Sequence, residues 1–252
     1  MPMGFLVKSV SGNVASVTLN RGKVNPINEE LTQELSACFN EYSDDNNIKA
    51  VVITGNPVFF SFGLDIPEFL GYSKDDFTRF VGKFADLYTQ IFLFKKPLIA
   101  ALSGHTIAGG FMLATACDYR IMVTGKARMS LNEITFGSSL FPGSAEMLKY
   151  CVGQRNAEII SYTGAMFSAE EAAKMGLVDK VCDSANLLTE SGNTALEFVS
   201  RYGPAFESIK KLMRTDTAET MRIKDERYRD EMIDIWYSPE TWNRLKQIKI
   251  HG

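Results

Sequence analysis

Two short stretches combine the residue types that expose main-chain hydrogen-bond donors. In FFSFGLDIPEF (59–69), Gly63 permits a tight bend just before a short helical segment. In SGHTIAGGFMLATACDYRIMV (103–123), Gly109 and Gly110 stand at the mouth of an almost uncharged helix. Glycine costs about 1 kcal/mol relative to alanine inside a helix, so the pair needs a reason. Either the chain turns there, or something must approach the backbone N–H groups where a β-carbon would obstruct it. A helix N-terminus carries unpaired N–H groups and the positive end of the helix dipole. Two such ends aimed at one point would bind a carbonyl oxygen, and more strongly as negative charge develops on it. Losing one donor of such a pair costs on the order of a hundredfold in rate. The residues alone leave the plainer alternative open, that both glycine turns merely redirect the chain.

Other chemistries lack their residues. The two histidines, His105 and His251, have no partners placed to form a triad. No His, Cys, Asp and Glu group has metal-ligand spacing, and AGG alone is too weak a signal for a phosphate site. Cys38, Cys117, Cys151 and Cys182 are widely separated and read as small buried hydrophobes in a reducing compartment. With a net charge of −3 and 27 scattered Lys and Arg, nucleic acid is not expected as a partner. The opening MPMGFLVKSV has no signal-peptide pattern, no apolar run reaches membrane-spanning length, and IHG is no targeting address, so a cytoplasmic protein with no membrane partner is expected.

The elements that must position these turns follow from hydrophobic periodicity. FLVKSV and ASVTLN read as two strands joined at SGN, and NEELTQELSACFNEY as a helix capped by Asn28. KAVVITG and PLIAALSG are strands buried on both faces. Between Asp75 and Phe94, apolar positions 77, 80, 81, 84, 87, 88 and 91 follow a helical period. A short helix over 110–117 leads to the strand YRIMV. Beyond residue 140 helices dominate (143–152, 155–162, 168–175 and longer ones after 184), with LVDKVC the remaining strand. The charged, amphipathic segment 205–248 offers Met213, Met221, Met232, Ile233 and Trp236 for packing. An α/β core over 1–190 with a helical C-terminal region over 191–252 is the expected organisation.

At this point three ordered motifs resemble the crotonase (enoyl-CoA hydratase/isomerase) superfamily. FSFGLDI resembles its F-S-A-G-x-D loop, SGHTIAGGFMLATACDYRI its N-G-x-x-x-G-G segment ending in C-D, and AEEAAKMGLVDKV its A-x-E-A-x-x-x-G-L-V segment. The similarity runs from about residue 5 to the helical tail. It implies an α/β fold, a crotonase-like spiral of ββα units with a C-terminal helical trimerisation region. The implied ligand is an acyl-CoA thioester, with no cofactor besides that substrate, and the implied assembly is a homotrimer or a dimer of trimers. Carried over by position, the oxyanion donors are the N–H groups of Leu64 and Gly109. Phe62, Gly63, Asp65 and Ile66 belong to the same substrate-binding loop, Asp65 more as a brace of the loop than as a contact.

The departure from the family pattern is informative. Family hydratases use two glutamates to hold and activate a water; the first position is Met112 here, and the second is Glu133 in MSLNEITFG. Methionine cannot carry a proton. A single carboxylate suffices to remove a proton beside a thioester and return it two carbons further along, the 3-enoyl-CoA to 2-enoyl-CoA isomerase reaction. ACDYRI and LNE are similar to the mitochondrial branch of those isomerases. Apolar neighbours Leu131, Ile134 and Phe136 are expected to raise the basicity of Glu133. Asn132 reads equally as a cap or as a substrate contact. Glu146 is a rival proton carrier whose offset fits an ordinary helix charge better. Arg21 and Lys23 in NRGKVNPIN could approach CoA phosphates, and the region of Phe77, Phe80, Phe84 and Tyr88 borders the family's acyl pocket. Enoyl-CoA hydration, a hydrolase or decarboxylase on the same enolate platform, and a non-catalytic acyl-CoA binder remain the alternatives.

Overall fold

The computed structural model describes residues 4–248; His251 lies outside the described residues. Strands β1 (Leu6–Ser11) and β2 (Val14–Leu19) form the expected hairpin, with Leu6 opposite Leu19. Next come β3 (Pro26–Ile27) and α1 (Glu29–Asp44), where the Asn28 side chain accepts from the Leu31 N–H as an N-cap. β4 (Ala50–Thr54) is buried along its whole length, as a parallel interior strand should be. It is followed by β5 (Phe59–Ser61), β6 (Gly63–Leu64), α2 (Ile66–Phe69) and α3 (Lys74–Phe92). All seven apolar positions that carried the helical period in α3 are buried.

The chain then repeats itself. β7 (Leu98–Leu102), β8 (His105–Ile107) and α4 (Gly109–Ala116) are followed by β9 (Tyr119–Val123), β10 (Met129–Ser130) and α5 (Pro142–Thr163). Each turn gives one strand to a six-stranded sheet, ordered β1-β2-β4-β7-β9 and closed by β11 (Lys180–Cys182), and the next to a small sheet ordered β10-β8-β5. This is a ββα spiral. Apart from the first hairpin and an isolated antiparallel bridge between Met129 and Phe167, the pairings are parallel. α5 joins the two helices expected over 143–152 and 155–162, with Gly153 at φ 74° marking the break.

α6 (Ala169–Lys174) carries a Ser168/Glu171 capping box. α7 (Leu187–Val199) packs on β7, β4 and β9. Positions 190 and 191, where the C-terminal region was expected to begin, fall within this helix. α8 (Gly203–Trp236) and α9 (Pro239–Leu245) complete the chain. α8 lies against α5 and α3 through Met221, Met232, Ile233 and Trp236. Met213, expected to pack, is 61% exposed because it falls on the opposite face of α8. Among the described residues no helix is long and apolar enough to cross a membrane, and no group of His, Cys, Asp and Glu could hold a metal ion.

Candidate active site

Strand register brings the two glycine turns together. In the small sheet Ser61 pairs with Thr106, and Thr106 with Met129. Three residues beyond each of these lie Leu64, Gly109 and Asn132, so parallel strands deliver three turns to one edge, with Glu133 next in line. The approach is close. A β-carbon at position 63 would lie 2.8 Å from Ala108 Cβ and 3.1 Å from the Gly109 nitrogen. Gly63 also has φ 98°, a conformation side chains resist. A β-carbon at Gly110 would meet the Ser61 carbonyl oxygen at 2.7 Å, so this glycine lets the two donor loops touch.

Both N–H groups are left unspoken for by the local geometry. Phe62 N–H donates to the Val24 carbonyl, Gly63 N–H to Ser61 Oγ and Asp65 N–H to the Ile27 carbonyl. The Leu64 N–H between them points to the side opposite Asp65, as successive groups of an extended strand do. Gly109 opens α4, whose first-turn donors have no intrahelical acceptors, and Ala108 before it supplies no side-chain cap. Ala108 itself sits at φ 48°, a strained position for a residue with a β-carbon. Its N–H donates to the Ser130 carbonyl at 2.9 Å and its carbonyl accepts from Met112 N–H at 3.0 Å, which holds the strain in place.

Glu133 begins a 3-10 turn (Glu133–Phe136) closed by Gly137 at φ 81°. Thr241 of α9 donates its hydroxyl to the Gly137 carbonyl at 2.7 Å, so the C-terminal helix pins the turn. The glutamate is 5% exposed, and its Oε2 is buried with no hydrogen-bond partner. Burial pushes its carboxyl up to about 7 from an ordinary 4.5, its own amide pulling weakly the other way. It faces a cavity of about 250 Å³ lined also by Phe62, Leu64, Ile66, Ala108 and Asn132. Among the described lining residues Glu133 is the one titratable side chain.

Not every expected contact is at this cavity. Arg21, expected as a phosphate contact, has its guanidinium arms on Asp65 (2.6 Å), Glu68 (2.9 Å) and the Pro26 carbonyl (2.9 Å). Asp65 caps α2 and completes this brace behind Leu64. Lys23 is exposed on the same loop. Phe77, Phe80, Phe84 and Tyr88 are fully buried and do not line the cavity, although Phe84 packs beneath Gly109. Glu146 is ion-paired to Lys149 and Lys224; burial opposes its ionisation, but the two ammonium groups outweigh it and hold the carboxyl below its usual value. It is a structural charge. Phe136, expected beside Glu133, lines the cavity; the walls missed in sequence are Phe141 and, from the distant C-terminal segment, Trp236 and Ile248.

The family model for enoyl-CoA hydratase/isomerase matches residues 9–239. The chain belongs to the enoyl-CoA hydratase/isomerase family. Within that family it is 31% identical to a probable enoyl-CoA hydratase of Rhizobium meliloti over 224 residues, 87% of this chain and 86% of that protein. It is equally 31% identical to the carnitinyl-CoA dehydratase of Escherichia coli over 206 residues, 81% and 78% of the two chains. The crystal structure of human mitochondrial delta3-delta2-enoyl-CoA isomerase superposes with a TM-score of 0.91 at 23% identity, covering 96% of this chain and 95% of that one. An enoyl-CoA hydratase from Bacillus halodurans superposes with a TM-score of 0.89, also at 23% identity, over 97% and 100%. These likenesses establish the crotonase fold.

Proposed function

We propose that this member of the family is an enoyl-CoA isomerase that moves a double bond from the 3 to the 2 position of an acyl-CoA. The observation that carries the reading is that Glu133 is the one titratable side chain among the described residues lining the cavity, while the resemblance puts Met112 where a two-carboxylate hydratase needs its other acid. The Glu133 carboxylate takes a proton from C2 of the 3-enoyl thioester. The electron pair left on C2 delocalises onto the thioester oxygen, where the N–H groups of Leu64 and Gly109 stabilise it. Glu133 then returns the proton to C4 and the double bond re-forms between C2 and C3. A base that titrates near neutrality suits both transfers.

The names of the sequence relatives favour a second reading, hydration or dehydration of the same class of thioester. Exposed apolar side chains along α8, among them Ile209, Leu212, Met213 and Ile223, support a homo-oligomer such as a trimer. Incubation with a 3-enoyl-CoA and, separately, with a 2-enoyl-CoA in water distinguishes the chemistries. Conjugated 2-enoyl product from the first and no water addition to the second is the expected result. Rapid formation of the 3-hydroxyacyl thioester from the second, with no isomerisation of the first, would replace this reading by the hydratase.

A further inference from the structure

A second cavity, of about 420 Å³, adjoins the one that holds Glu133, and Ser138 and Ser139 line both. At the next residues the side chains part. Leu140 and Pro142 line the second cavity, whereas Phe141, whose backbone is extended, lines the catalytic one. α8 borders both spaces. Its Lys224, Tyr228 and Met232, spaced one turn apart, line the second cavity, and Trp236, one turn further on, lines the catalytic one. The segment 138–142 is therefore a partition between two spaces that follow one another along α8.

The partition is fastened at both ends. The Ser138 N–H donates to the Glu133 carbonyl at 3.0 Å, which ties one end to the turn that carries the base. At the other end the Phe141 carbonyl accepts from the Ser144 hydroxyl at 2.6 Å and from the Ser144 N–H at 3.0 Å. The Gly143 N–H donates to the Asp225 carboxylate of α8 at 2.7 Å, and the same carboxylate accepts from the Tyr88 hydroxyl. A β-carbon at Gly143 would collide with Asp225 and lie 2.8 Å from the Tyr88 hydroxyl oxygen, so this anchor needs glycine. The Phe141 ring meets Phe84 edge to face with centroids 5.3 Å apart. A ring held in this way is a fixed wall.

We propose that Phe141 sets the longest acyl chain this protein accepts: its ring closes the catalytic cavity toward the second one, and shortening it joins the two. This inference rests on the acyl-thioester reading of the site. At about 30 Å³ for each water-sized group, a cavity of about 250 Å³ holds a chain of about six to eight carbons.

Calorimetric titration with saturated butanoyl-, hexanoyl-, octanoyl- and decanoyl-CoA tests it without any reaction step. Each methylene that finds an apolar wall tightens binding about fourfold. Wild-type affinity is expected to climb at about that rate through the shorter chains and to level or fall by decanoyl-CoA. Phe141→Ala is expected to bind decanoyl-CoA at least about tenfold more tightly than the wild type does, with butanoyl-CoA bound within about threefold of it. A wild-type affinity that climbs unbroken to decanoyl-CoA, or a break at the same length in Phe141→Ala, overturns the inference and leaves the acyl-thioester reading standing. Binding of none of the thioesters overturns that reading, and this inference with it. The wild-type series needs no variant, and Phe141→Leu, expected to move the break in the same direction, replaces an alanine variant that does not fold.

Discussion

Asp118 and Glu133 are both acids withdrawn from water, and their neighbourhoods differ in kind. Asp118, just before β9, accepts from Lys210 at 2.7 Å and from the Leu98 N–H at 2.8 Å, and is ion-paired with Arg214 at 3.2 Å. Both cations come from α8, so the cluster fastens the long C-terminal helix to the main sheet. Burial drags the Lys210 ammonium down to about 8, with Asp118 pulling the other way. Among the described residues lining its cavity Glu133 meets no cation, and it leaves one oxygen unmatched. A buried acid among partners holds elements together; one without partners keeps its proton affinity free for a substrate.

The sharpest way to break this contrast is Glu133→Gln. Turnover of a 3-enoyl-CoA should fall about a thousandfold, within the range of general-base contributions, while affinity for a saturated acyl-CoA stays within a few-fold. Undiminished turnover would remove Glu133 from the chemistry. The complementary substitution, Asp118→Ala, strands two buried cations and should lower stability by about 3–5 kcal/mol, read from urea unfolding. Turnover per folded molecule should survive. A loss of activity with unchanged stability would reverse the roles assigned to the two acids.

The same contrast has a pH signature. Because the folded state raises the Glu133 carboxyl to about 7, folding favours its protonated form. That contribution is fully present below about pH 4.5, falls as pH rises, and is gone above about 7. Glu133→Gln should therefore match the wild type near pH 4 and exceed it by about 3 kcal/mol at pH 8, measured by denaturant midpoints at the two pH values. A constant difference at both would show that the carboxyl titrates normally. Smallest of all, Arg21→Ala should lower kcat/KM about three- to tenfold by loosening the Asp65 brace behind Leu64. The loss should be equal for CoA and pantetheine thioesters. A loss confined to the CoA thioester would restore the phosphate contact.

Much of this was legible before any coordinates. Valine- and isoleucine-rich runs marked β4, β7 and β9, and the period of α3 named its buried face residue by residue. The donor turns and Glu133 were legible from ordered motifs, since each sits within a few residues of a glycine or an apolar strand that constrains it. What stayed hidden depends on distance along the chain. The partners of Arg21 lie 44 and 47 residues away, and nothing local distinguishes a braced arginine from a free one. Trp236 was legible as a packing residue of α8 but not as a cavity wall, because it meets the wall around Glu133, some hundred residues earlier in the chain, only in the folded molecule. Met213 carried the same apolar signal as Met221, yet one face of α8 is covered by α5 and α3 and the other is not.

The most direct measurement is the pH dependence of kcat/KM for isomerisation of a 3-enoyl-CoA, followed through the conjugated product. A lone buried carboxylate acting as base predicts a rate that climbs with pH, bends near 7 and stays level above it. Equal rates at pH 5.5 and pH 8.5 would contradict the account.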